Sequence, residues 1–209
     1  MKLKTPFFYV NIEITFIIIL LLFFISPKVH KLLYYYYACY LFIVYHELGH
    51  MCIATIVGKK VKEFKITMAG VCIRLDEGMG LVDSRILQIL VYIAGPISNL
   101  VLAMIFKNNN MIFDVNIFLF LINLLPIYPL DGYNILKCVL SSLFEIKKIY
   151  KLLNELSITC VVMLFVTGIV QIFISNNFSI VIFSIYLILL KNKYYRSEKY
   201  DKIIQRIRC

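Results

Sequence analysis

Charge is scarce in this chain. Of its 209 residues, 16% are Asp, Glu, Lys or Arg, while 61% are hydrophobic. A water-soluble domain of this length could not cover so much apolar surface and would expose large adhesive patches. Disulfide signals are missing too. None of the six cysteines (Cys39, Cys52, Cys72, Cys138, Cys160, Cys209) forms a C-x-x-C pair, and most lie in or beside apolar runs. There a thiol behaves as a small hydrophobe, and no disulfide framework is predicted. No small-residue cleavage site follows the basic start Met1-Lys2-Leu3-Lys4, so the first apolar run reads as a retained span. Internal repeats and low-complexity linkers are absent. One membrane domain over 1–190 is predicted, followed by a short basic tail over 191–209. The net charge is +10, yet no compact basic segment stands apart from the apolar runs. That excludes nucleic acid as a partner. Cations flanking membrane spans follow from topology and from anionic headgroups.

What the chain has in abundance is near-continuous apolar sequence. Judged against the ~20 residues a helix needs to cross a bilayer, six spans are predicted, at 7–26, 32–57, 86–106, 111–130, 156–175 and 177–190. The runs lack the period-two alternation of barrel strands. Tyr34 to Tyr37 and the group Lys191, Lys193, Tyr194 and Tyr195 read as interfacial anchors. With both termini on the cytosolic side, the inner segments hold 19 of the 22 Lys and Arg residues, leaving Lys28, Lys31 and Lys107 outside. The segment 58–85 is less apolar. Val61, Phe64, Ile66 and Met68 partly alternate with Lys62 and Lys65, and glycines stand at 70, 78 and 80. It predicts short strands or a hairpin at the membrane surface, with an edge able to accept an extended peptide. The predicted fold class is therefore an all-α polytopic membrane protein of six helices with a strand or hairpin segment at the cytosolic surface.

The second span carries His46-Glu47-Leu48-Gly49-His50. Residues four apart share a helix face, so both imidazoles can reach one ion. Glu47 would then sit beside the metal, where a carboxylate can take a proton from a water acidified by zinc. Two of the chain's three histidines are in this motif; His30 reads as interfacial. Ionisable groups at membrane depth are expensive and are usually functional. A catalytic zinc needs a third protein ligand. The acidic residues in or bordering apolar stretches are Glu13, Asp114 and Asp131. Asp131 fits best. It follows a segment broken by Pro126 and Pro129 and precedes Gly132, and irregular backbone at membrane depth is tolerated where it lines a polar cavity. The charge-derived topology also puts it at a depth similar to His50, near the cytosolic side.

H-E-L-G-H in an early span, followed by Asn123-Leu124-Leu125-Pro126-Ile127-Tyr128-Pro129-Leu130-Asp131-Gly132 in a later one, resembles the site-2 protease family of intramembrane zinc metalloproteases. Gly95-Pro96-Ile97-Ser98-Asn99 resembles the family's intermediate G-P-x-x-N motif. The resemblance covers residues 5–190, and the six-span layout is most similar to the subgroup containing stage IV sporulation protein FB. It implies one zinc per chain held by His46, His50 and Asp131, with Glu47 activating water and Asn99 and Asn123 as supporting residues. It implies a membrane-associated protein substrate, in that subgroup a pro-sigma factor, and inhibitory membrane proteins as partners. Two departures bear on the subgroup. The chain stops at Cys209 without room for the CBS domain found in many sporulation members, and Tyr133 stands where a second glycine is expected.

Two other readings remain open on the residues. Another class of membrane zinc protease would use a downstream Glu as third ligand, but Glu145 and Glu155 flank a polar stretch. A metal transporter would show paired halves with two broken helices, and one break is found. An inactive scaffold would be expected to lack the base, and Glu47 is present.

Overall fold

The computed structural model describes residues 2–4, 9–12, 30–59, 61–67, 70–75 and 84–192. The chain divides into two compact units, Met1–Asn123 and Leu124–Cys209. In the first, the order is β1 (Lys2–Lys4), β2 (Tyr9–Ile12), α1 (His30–Ile56), β3 (Val61–Thr67), β4 (Gly70–Leu75), α2 (Arg85–Ile105) and α3 (Asn110–Asn123).

The strands form one four-stranded sheet in the order β1-β2-β3-β4, so the all-α expectation is corrected. β1 runs antiparallel to β2, β2 runs parallel to β3, and β3 runs antiparallel to β4. The pairing of β3 with β4 lies in the segment 58–85; Met68 and Ala69, between them, fall outside the described residues. The expected span at 7–26 is also corrected at its start. Tyr9–Ile12 is extended, and Asn11 sends its side-chain amide to Glu63 Oε1 on β3 at 3.2 Å. A polar residue amid β-branched and aromatic neighbours suits a ladder better than a lipid-facing helix. The rest of that span, including Glu13, lies outside the described residues.

The helix α1 ends where Gly58 takes φ +86, a left-handed conformation that favours glycine. Lys59 N–H then bonds to Ala54 O and Gly58 N–H to Thr55 O, satisfying carbonyls the helix would leave open. The helix α2 starts on a Ser84 side chain that accepts from Leu87 N–H. It packs against both α1 and α3. The approach to α1 is close: a Cβ on Gly49 would meet Ala94 O and the Ser98 side chain at 2.9 Å. Small residues let helix backbones approach this way.

The second unit holds α4 (Asp131–Leu140), α5 (Ile146–Ser175) and α6 (Ser179–Asn192). Two expected boundaries are corrected. The span at 111–130 stops at Asn123, and Asp131 opens a separate helix instead of closing that span. Pro126 and Pro129 each lack the N–H a continuing helix needs. The span at 156–175 begins ten residues early, at Ile146. Its polar first turns are amphipathic: Ile149, Leu153, Ser157 and Val161, each four residues apart, form one buried stripe.

Among the described residues, three helices are long and apolar enough to cross a membrane: α1, α2 and α5, with α3 and α6 shorter apolar helices. Large apolar side chains face outward, including Phe173 at 85% and Ile174 at 80% exposed. Such surface is stable in lipid and not in water, so this is a membrane protein. Cys39, Cys52, Cys138 and Cys160 carry thiols, as the spacing predicts.

Candidate metal centre

The i, i+4 spacing on α1 puts the two imidazoles side by side. Their ring centroids are 4.7 Å apart, nearly perpendicular, and the two Nε2 atoms are 3.1 Å apart. An ion bound at 2.0–2.1 Å per nitrogen in tetrahedral geometry holds its nitrogens about 3.3 Å apart. The pair fits that requirement. His46 is buried and His50 half-buried.

The far nitrogen of each ring is held by α2. His50 Nδ1 lies 2.7 Å from the Val91 carbonyl, and His46 Nδ1 lies 3.3 Å from Asn99 Nδ2. Metal-ligating histidines usually have such a partner, which fixes ring orientation. Pro96, inside α2, lacks the N–H that would bond to the Tyr92 carbonyl four residues back. Gly95 completes the setting. A Cβ there would fall 2.6 Å from His46 Nε2 and closer still to His50 Nε2. Any larger residue would fill the space in front of both ligand atoms.

Glu47 follows His46 on α1 and is half-buried. Asn99 is fully buried on α2, and its Oδ1 has no hydrogen-bond partner. Asn123 closes α3 and donates its amide to Leu119 O at 2.9 Å, so that side chain serves its own helix. Asp114, the alternative carboxylate, is exposed on α3.

In the second unit, Asp131 is the first residue of α4, reached through tight turns. Ile127 N–H bonds to Leu125 O at 2.8 Å, and Leu130 N–H to Ile127 O at 2.7 Å. Ile127 is fully buried against Val161 and Leu187, which pins the turn. Gly132 must be glycine for a local reason: a Cβ would collide with the Leu124 carbonyl. Tyr133 is buried with Ile149 and Leu153, and its ring meets Tyr128 edge-on at 5.5 Å. The unexpected residue is thus part of the core. Within the first unit, His46 and His50 present two imidazole nitrogens that could hold a metal ion, and Asp131 is described by its place in the second unit.

The motif reading missed two features that shape the site: the close approach of both imidazoles to Gly95 and the Val91 carbonyl. A glycine followed by proline inside an apolar helix was the available signal for both.

No family model matches the chain. A zinc metalloprotease of Methanocaldococcus jannaschii is 21% identical over 182 residues, covering 79% of this chain. The chain spans about half, 49%, of that relative's length. Among solved structures, the site-2 protease from Methanocaldococcus jannaschii matches with a TM-score of 0.62 at 20% identity, covering 92% of this chain and 94% of that one. The chain therefore shares the fold of that site-2 protease.

Proposed function

We propose that the chain is a zinc-dependent intramembrane endopeptidase. The observation that carries this reading is the pair of Nε2 atoms 3.1 Å apart, each ring anchored from behind by α2. His46 and His50 would hold the ion with Asp131 as the proposed third ligand: two imidazole nitrogens and one carboxylate, a donor set that suits zinc. When bound, zinc supplies Lewis-acid polarisation of the scissile carbonyl and acidifies a water. Glu47 takes the proton of the attacking water as the new C–O bond forms. It returns a proton to the nitrogen as the C–N bond breaks.

The substrate would be a membrane-associated protein, in the sporulation reading a pro-sigma factor, with inhibitory membrane proteins controlling access. A helical substrate hides its carbonyls in backbone bonds, so the cleaved stretch must be extended. The strand β4, at one edge of the sheet, would hold it by strand addition. The excess of Lys and Arg in alternate segments supports six spans with both termini in the cytosol.

The test is purified protein in detergent, assayed on a candidate pro-sigma factor with and without a zinc chelator. Glu47→Gln is expected to keep zinc and lose about 10²–10⁴-fold in turnover. Asp131→Asn is expected to lose zinc. A Glu47→Gln variant that cleaves as fast as the parent would overturn the hydrolase reading. Substrate crosslinking at residues 66–74 tests the strand-addition step.

A further inference from the structure

The corner between α4 and α5 is tightly turned. Ser141 N–H bonds to Lys137 O at 3.0 Å, and Leu143 N–H and Phe144 N–H both bond to Leu140 O. The turn holds its shape, yet it hides little. Leu143 is 68% and Ile146 71% exposed, with Val139 and Phe144 exposed beside them. Apolar side chains held out on such a turn are unfavourable in water and favourable among acyl chains.

Cations gather at the same corner. Lys147, Lys148 and Lys151 stand exposed on the first turns of α5, whose other side buries Ile149 and Leu153. Lys137, on α4, lies over the Tyr150 ring, 4.9 Å from its centroid, which keeps a further charge at the corner. α6 returns to this end of α5 and adds Lys191, whose Nζ donates to Asn154 O at 3.3 Å. From Gly132 to Lys151 the chain has four lysines and a single carboxylate, Glu145. Topology alone accounts for lysines beside a span. It does not account for large apolar side chains held out among them. Together they match a bilayer surface: apolar groups reach the upper acyl chains, and ammonium groups meet the phosphates above.

We propose that the α4–α5 corner is a binding site for anionic phospholipid. Leu143, Phe144 and Ile146 seat at the acyl boundary, and Lys147, Lys148 and Lys151 bind the headgroup phosphates. The corner closes α4 and Asp131 opens it, so the same grip holds that short helix at one depth in the bilayer.

The test needs neither zinc nor substrate. The chain has no tryptophan, so Phe144→Trp places a single fluorophore in the corner. The full chain carrying it is reconstituted in vesicles of equal parts phosphatidylcholine and phosphatidylglycerol, with bromine on the acyl chains of one lipid or the other. Bromine quenches the indole on contact. Stronger quenching by the brominated phosphatidylglycerol is expected, and high salt should erase the difference by screening exposed charges. Changing Lys147, Lys148 or Lys151 to Gln should each lower the preference by up to about fivefold, with quenching by phosphatidylcholine kept. Should a Gln variant lose its helix content by circular dichroism, the salt series on the Phe144→Trp chain decides. Equal quenching by the two lipids at low salt would overturn the proposal, since the corner would then enter the bilayer without reading headgroups. Quenching by neither lipid would also overturn it, putting the corner in water or under protein. A preference that survives both salt and the loss of all three lysines would belong to another part of the chain, and the proposal would fail.

Discussion

The two regions that carry the motif residues are built on opposite principles. On α1 the backbone is regular, and helix spacing alone places His46 beside His50. What is special there is the neighbour, α2, which supplies a carbonyl, an amide and a glycine that lets both rings approach closely. Around Asp131 the backbone itself is special. Prolines end one helix, tight turns connect to the next, and buried Ile127 and Tyr133 fix the segment by packing. A ligand pair can be set by periodicity and tuned by a partner helix. A lone carboxylate needs its own scaffold.

That contrast predicts different failures. The largest effect is expected at Gly95. Gly95→Ala would place a methyl group against both Nε2 atoms, and bound zinc should fall to background by elemental analysis while the helix content seen by circular dichroism is kept. A Gly95→Ala protein with full zinc would show that the ion sits elsewhere. Ile127→Ala should fail by degrees. Removing a fully buried side chain costs about 2–5 kcal/mol, so the thermal midpoint should drop, with zinc weakened and its stoichiometry intact. An all-or-none loss of zinc in this variant would erase the distinction between the two regions. The smallest effect is expected at Gly58, just past the end of α1. Open space surrounds it, so Gly58→Ala pays only for its left-handed backbone, about 1 kcal/mol in a denaturation curve, with zinc affinity unchanged.

Much of this was readable in the sequence because the relevant signals are short-range. H-E-x-x-H fixes two residues on one face with no knowledge of the fold. The break at Pro126 and Pro129 was equally local, and it singled out Asp131 over Asp114, which proves exposed. What could not be read depended on partners distant in the chain. Tyr9–Ile12 is only four residues long, too short for periodicity to separate strand from helix, and it becomes a strand by pairing with β3. The first turns of α5 looked like a polar break because the charges at Lys147, Lys148 and Lys151 outweighed the stripe at Ile149 and Leu153. Gly95 and Val91 act through space and backbone, which residue types do not announce.

The hydrogen bond from His50 to Val91 ties the long axis of one helix to that of another. Sliding α1 past α2 by a single residue would displace the ring by about 1.5 Å and break a 2.7 Å bond in a setting without water to replace it. The close seat of Gly49 on Ala94 and Ser98 resists rotation in the same way. These two helices must travel as one piece.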